Sequence, residues 1–518
     1  MDELRHECGV AAVYHMGDGS RSSICPHDQD QVTRLIPRML LDLQNRGQLA
    51  AGFTSYNPAR EQILDTYKEL GPVAEAFKMS HAHKFASIME EHSGRAAIGH
   101  VRYATCGPTG RSYAQPFERR HGCKWKWFAF AYNGNLANFE ELKADILELD
   151  SYHLTRNNDT EVLMHLMAHA LRGDKQPDLV RVFTELSHKL DGAYNLAFLN
   201  ALGEMIVLRD PLGIRPLCYA TDGPIFAAAS ESVPLLNMGF KQIRSLEPGE
   251  LIRLQPGKPM EIHRYAEVRK PKHCFFEWIY FANVASTLDD RSVYLSRSRL
   301  GQELANLERE RELFDYHDGN TVVVPVPDTG KAAADAMAFA LGIPSVEGLI
   351  RNRYIGRTFI EAGNRADKVR LKFTPLREVL AGKRILLVED SLVRSTTLKT
   401  LLGFLREAGG VKEIHVRVAC PPIVGPCYYG IDMAKRAELY APKFMAGAIP
   451  TAEELATMAA DLGADSLIYL PLEAVARCIG LPETNLCRAC LTGHYPTPAG
   501  TRKFALDLVP NEGATSCV

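Results

Sequence analysis

RILLVEDSLVRSTTLKTLL (Arg384–Leu402) decides the fold of the second half of the chain. Ile385 to Val388 form an apolar run short enough for a buried strand, and apolar residues recur at helical spacing after Thr396. Between them stand two adjacent acids, Glu389 and Asp390, then Ser391, then the hydroxyl cluster Ser395, Thr396 and Thr397 where the helix should begin. A helix N-terminus offers unpaired N–H groups and partial positive charge, so this junction suits a phosphate. Paired carboxylates at a strand end suit the neighbouring hydroxyls of a ribose, or a Mg²⁺ shared with it.

The same rhythm recurs on both sides. NTVVVPVPDTG (320–330) is a β-rich run that ends in Asp328, Thr329 and Gly330 before the helical KAAADAMAFAL, and EIHVRVACPP (413–422) is a third strand. Strand and helix alternating predict an α/β unit with a parallel sheet, whose ligands sit beyond the carboxyl ends of the strands. RNRYIGRTFIEAG (351–363) puts Arg351, Arg353 and Arg357 between the two loops. There they are expected to close over a pyrophosphate with bidentate contacts. The tail from about 471 reads as less regular.

Residues 9–260 read differently. Short strands, among them GVAAVYH (9–15), AAIGHVRYA (96–104), WKWFAFAYNG (125–134) and AYNLAFL (193–199), come in runs, with helical spacing in VTRLIPRMLLDLQ and TEVLMHLMAHAL. Layered α+β is the expected class, closing on a hairpin within LEPGELIRLQPGKPMEIHRY (246–265). At 518 residues, the chain is long enough for two to four domains. A net charge of −2 gives no electrostatic case for nucleic acid or a membrane surface. No segment nears the roughly 20 apolar residues of a membrane span, and MDELRHE (1–7) lacks a signal core, so a cytoplasmic protein is expected. Twelve cysteines in so long a chain are too sparse for a disulfide scaffold.

Family resemblance sharpens both halves. The strand–acid–hydroxyl string resembles the 5-phosphoribosyl-1-pyrophosphate (PRPP) motif of type I phosphoribosyltransferases. This implies PRPP contacts from Asp328, Thr329, Arg353, Arg357, Glu389, Asp390, Ser391, Ser395, Thr396 and Thr397, with Mg²⁺ near Thr329, Glu389 and Asp390. CGV (8–10), QNRGQLAAGF (44–53), IGHVRYATCG (98–107), AYNGNL (131–136) and NNDTEV (157–162) resemble, in that order, the glutaminase domain of class II amidotransferases. Those are N-terminal-nucleophile hydrolases with αββα layers. A cysteine thiolate is a strong nucleophile near neutral pH, and an α-amine of reference pKa about 7.7–8.0 can serve as its base. Cys8 can supply both only if residues 1–7 are removed as a propeptide. By resemblance, Asn133 and Gly134 form the oxyanion hole, Arg102 holds the glutamine α-carboxylate, Asp159 holds its ammonium, and Thr105 lies beside the clamp.

Together the halves resemble the amidophosphoribosyltransferase family over nearly all of residues 8–495. That implies a propeptide (1–7), a glutaminase domain (8–260), a phosphoribosyltransferase domain (275–470) and a tail (471–518). The implied reaction moves nitrogen from glutamine to PRPP, opening purine synthesis, in a homo-oligomer inhibited by purine nucleotides. CRAC (487–490) has a spacing found in zinc and iron–sulfur sites alike. One branch of the family binds a [4Fe–4S] cluster, whose ligands correspond to Cys274, Cys427, Cys487 and Cys490. Cys25, Cys106, Cys123, Cys218, Cys420, Cys478 and Cys517 carry no assignment. Three residues depart from the family pattern: Glu389 for aspartate, Ser395 for a phosphate-loop glycine, and Tyr132 for histidine. If that position needs positive φ, or close backbone approach to phosphate, Ser395 would strain it or weaken PRPP binding. That keeps open an alternative, a PRPP- or nucleotide-sensing relative with a degenerate transferase pocket.

Overall fold

The computed structural model describes residues 8–17, 22–25, 28–103, 110–149, 152–352, 365–433, 435–445 and 447–508. Two antiparallel sheets make the first domain. In the first, Cys8–His15 lies between Ile225–Ala229 and Ala96–Arg102, with Ala50–Tyr56 and Leu64–Leu70 beyond. In the second, Phe128–Leu136 lies between Phe117–Arg119 and Gly192–Asn200, followed by Met205–Arg209, Glu250–Leu254 and Glu261–Arg264.

The period-2 alternation of Cys8–His15 sorts its side chains between layers. Val10, Ala12 and Tyr14 point into the space between the sheets, where Ala129, Ala131 and Ala197 of the second sheet meet them. Small side chains on facing strands let the sheets close. Ala11 and Val13 point the other way, against the helix Ile36–Asp42. Helices Asp159–Ala170 and Leu179–Ser187 cover the second sheet. The αββα layering is as expected, and its last strand carries the domain to Arg264.

In the second domain, Thr321–Pro325, Arg384–Glu389, Glu413–Val418 and Ser466–Tyr469 lie side by side in that order, all parallel. The tail is more regular than its sequence suggested. It holds helices Leu472–Ile479, Ala489–Thr492 and Pro498–Leu508. Two of them stop at Gly480 and Gly493, both at positive φ (82° and 75°), and the four-residue Ala489–Thr492 is too short to show a helical period.

The domains share one core. Ala137, Ala193, Leu212 and Ile214 of the first pack in the same cluster as Phe275, Phe276 and Trp278. A fully buried set of charges sits at the seam. Arg46 pairs with Glu231 at 2.5 Å and with Glu277 at 2.6 Å, and Arg215 pairs with Glu277 at 3.2 Å. Removing one member of such a buried pair costs about 3–5 kcal/mol. Among the described residues, no helix is long and apolar enough to cross a membrane.

Candidate active sites

Cys8 opens the first strand directly opposite Arg102. Its side chain is fully buried, and Sγ lies 4.0 Å from the Tyr103 carbonyl oxygen. Burial pushes the thiol up to about 12, against the opposing pull of the Arg102 and Arg215 guanidinium groups. Arg102 is itself buried, with its guanidinium 5.5 Å from the Tyr113 ring centroid. Gly47, in QNRGQ, packs directly beneath: a Cβ there would stand 2.5 Å from the Arg102 carbonyl carbon.

Asn133 and Gly134 lie in the strand Phe128–Leu136. Gly134 has φ of +153°, and a Cβ would fall 1.9 Å from the Ala193 carbonyl oxygen. Only glycine fits. Asp159 begins its helix, whose N-cap Asn158 accepts from the Glu161 N–H at 2.9 Å. The Tyr132 hydroxyl donates to Asp159 Oδ2 at 3.0 Å, and the Leu136 N–H reaches the same oxygen at 3.4 Å. Tyr132 thus braces the Asp159 carboxylate. Thr105 and Cys106 lie outside the described residues.

At the second site, the strand Arg384–Glu389 delivers Glu389 and Asp390 beside the turn after Thr321–Pro325. Thr329 Oγ1 donates to Asp390 Oδ2, and Ser391 Oγ donates to Oδ1 at 2.6 Å. Arg351 donates to Asp328 at 2.6 Å. Burial first, then the charge of Asp390, raises the Glu389 carboxyl well above its usual range; burial also raises Asp390. Two carboxylates in one cleft repel, and a divalent cation relieves that repulsion, so the oxygen donors fit Mg²⁺. Thr396 and Thr397 are exposed at the start of the helix Thr396–Glu407, and no side chain caps its N-terminus. Arg353 and Arg357 lie outside the described residues.

Ser395 corrects an expectation. Its φ is −78° and ψ is −17°, ordinary helical backbone that any residue adopts. Serine is therefore unstrained there, which removes backbone strain as a ground for a degenerate pocket.

The four cysteines singled out at the seam come together. Cys274 and Cys487 are partners in a short parallel ladder, and the Cys490 carbonyl accepts from the Val424 and Gly425 N–H groups, beside Cys427. All four line one small, mostly apolar cavity with Phe275, Tyr429 and Tyr495. Each keeps 7–8% exposure, facing that cavity, whereas Cys420 and Cys478 keep 0–1% inside packed core. Among the described residues no group of three or more His, Cys, Asp or Glu closes around a single metal ion. Four thiols lining one cavity are a donor set of the kind and number an iron–sulfur group takes. Burial, then the neighbouring cysteines, pushes the Cys274 and Cys490 thiols up, so thiolates there need a cationic partner. Cys25, Cys218, Cys420 and Cys478 are buried and Cys123 half-buried, while Cys517 lies outside the described residues.

Arg215 and Ser230 neighbour the predicted site residues, and Glu231 follows Ser230; the sequence reading singled out none of them. Arg215 acts on the Cys8 thiol, and Ser230 hydrogen-bonds Asn133. RDPLGIRPL and PIFAAASES carried them in plain view, but a charge or hydroxyl in a string says nothing about which distant residue it meets.

A layered αββα domain that opens on Cys8, joined to a parallel-sheet domain with two acids at a strand end, defines the class: a glutamine amidotransferase domain with a phosphoribosyltransferase domain. The families described as glutamine amidotransferase domain and phosphoribosyl transferase domain match residues 100–237 and 296–436. The amidophosphoribosyltransferase of Methanothermobacter thermautotrophicus is 36% identical over 99% of this chain and 98% of its own. That of Pyrococcus horikoshii is 40% identical over 95% and 97%. The solved glutamine PRPP amidotransferase from B. subtilis, complexed with ADP and GMP, superposes with a TM-score of 0.79 at 32% identity, covering 95% of this chain and 98% of that one. The chain belongs to the amidophosphoribosyltransferase family. Its reaction is glutamine-dependent amination of PRPP, the first step of purine biosynthesis.

Proposed function

We propose that the two sites divide this reaction as follows, an assignment supported chiefly by Cys8 opening a strand directly opposite the buried Arg102. Removal of residues 1–7 frees the Cys8 α-amine. The amine takes the thiol proton, and the thiolate attacks the side-chain amide carbon of glutamine. Asn133 Nδ2 and the Gly134 N–H bind the oxyanion, while Arg102 and Asp159 hold the two charges of the amino-acid end, with Thr105 beside them. The protonated amine gives its proton to the departing ammonia, and water then hydrolyses the thioester to glutamate.

Ammonia attacks C1 of PRPP as pyrophosphate leaves. Glu389 and Asp390 hold the ribose hydroxyls or, with Thr329, Mg²⁺, which supplies charge neutralisation on the leaving pyrophosphate when bound. Asp328, Arg353 and Arg357 serve the pyrophosphate side, and Ser391, Ser395, Thr396 and Thr397 the 5-phosphate. Cys274, Cys427, Cys487 and Cys490 would hold a [4Fe–4S] cluster that fastens the tail to the domain seam. Purine nucleotides such as those in the B. subtilis complex would compete for the phosphate loops.

Intact mass tests the base. An active preparation should begin at Cys8, and full glutamine-dependent turnover from chains that keep residues 1–7 would overturn the amine's role. Anaerobically prepared protein should carry about four irons per chain. Protein that stays iron-free after anaerobic reconstitution would remove the cluster.

A further inference from the structure

Ser230 follows the strand Ile225–Ala229 and has no role in the assignment above. It is fully buried. Its Oγ accepts from the Val10 N–H at 2.9 Å, and its own N–H donates to the Val10 carbonyl at 3.0 Å. Both bonds lock it to the strand that starts at Cys8. The next residue fixes it from the other side. The Glu231 carboxylate accepts from Asn45 Nδ2 at 2.8 Å, Arg46 Nε at 2.5 Å, the Asn283 N–H at 2.8 Å and Ser286 Oγ at 2.7 Å.

Against this fixed hydroxyl rests the side-chain amide of Asn133, with Nδ2 3.2 Å from Ser230 Oγ. Asn133 is fully buried, and among the described residues its Oδ1 has no hydrogen-bond partner. A hydroxyl can both accept and donate. Ser230 already accepts from Val10, so its own proton remains to be given. Turning the amide end for end satisfies both groups at once. Oδ1 takes the Ser230 proton, and both N–H donors point away from Ser230, ready for an oxygen that bears developing charge.

We propose that Ser230 is a positioning residue of the glutaminase site. Its hydroxyl donates to Asn133 Oδ1 during turnover and so holds the amide nitrogen as the oxyanion donor. This rests on Asn133 having that role. Ser230 touches no reacting atom; it sets the orientation of a group that does.

Ser230→Ala removes the proton that fixes the amide. Glutamine-dependent kcat should fall about 10- to 100-fold with KM for glutamine little changed, as befits an interaction made in the transition state. Ammonia-dependent synthesis should be unchanged. Glutamate γ-semialdehyde, which adds the thiolate to give a tetrahedral oxyanion, should bind more weakly by the same factor, while glutamate binds as before. Alkylation of Cys8 by iodoacetamide, which forms no oxyanion, should keep its wild-type rate. Wild-type kcat in Ser230→Ala would overturn the proposal. So would slowed alkylation, or equal weakening of glutamate and semialdehyde, since either would mark a general structural loss. Should Ser230→Ala also lose ammonia-dependent activity, Ser230→Cys replaces it. Its weak donor should give an intermediate kcat, and a kcat equal to wild type would count against the proposal. Asn133→Ala separates the two layers: full glutamine turnover in that variant would remove the oxyanion reading itself, whereas its loss beside an unaffected Ser230→Ala removes only the role of Ser230.

Discussion

Cys8→Ala should abolish glutamine-dependent phosphoribosylamine formation, by about 10⁴-fold or more, and leave ammonia-dependent formation near wild type. The loss is large because no other described thiol shares this position opposite Arg102. Removing Sγ takes away both the nucleophile and the covalent intermediate. The sparing of ammonia-dependent synthesis follows from placement. Cys8 belongs to an antiparallel sheet of the first domain, and Glu389 and Asp390, the acids proposed to meet PRPP, lie at the end of a strand of the parallel sheet in the second. Trimming one buried sulfur leaves the second sheet untouched. Cys8→Ser, nearly isosteric, should be as inactive with glutamine, because a hydroxyl is a far poorer nucleophile near neutral pH. Pyrophosphate release with each nitrogen source is the measurement. Glutamine-dependent release surviving in Cys8→Ala would sink the assignment of the nucleophile, and loss with both sources would mean that the sites are not separable.

Asp390→Asn should stop pyrophosphate release with either nitrogen source, by about 10³-fold, the scale of several kcal/mol of lost charge stabilisation. Hydrolysis of glutamine alone should persist. Thr329 and Ser391 both donate to this carboxylate, and an amide would turn one acceptor into a donor facing a hydroxyl. The same substitution should raise thermal stability at neutral pH. Both acids titrate above their usual range, so the folded protein binds those protons more tightly than the unfolded chain does. Stability from such groups is full below the unfolded pKa and is lost as pH rises through the native one. At neutral pH the wild-type pair therefore sits on the destabilised side, a cost that an uncharged amide in place of Asp390 does not carry. Ammonia-dependent release that survives in this variant would refute the role of Asp390.

Much of this was legible in the string, for identifiable reasons. Arg384–Glu389 announces itself because a strand buried on both faces must be continuously apolar, and its acids can only follow it. Gly134 is legible as part of a motif, though the sequence does not show that a Cβ would strike Ala193. Ser395 was misjudged because a residue's identity does not reveal φ; the loop keeps helical backbone there and accepts a side chain. Ser230 and Glu231 escaped because their partners, Val10, Asn45, Asn133 and Ser286, are tens to hundreds of residues away. Only the fold brings them together. Arg46, Arg215 and Glu277 look like surface charges in a string, and nothing local marks them as buried.

The seam charges bear on how the protein could be divided. Cut between the two domains, the chain would strand Glu277 on one fragment and Arg46 and Arg215 on the other, each in a surface shaped to exclude water. Neither fragment would be a natural module for expression or for grafting onto another ammonia acceptor. Heated intact, the chain should melt in one cooperative step rather than as two beads on a string.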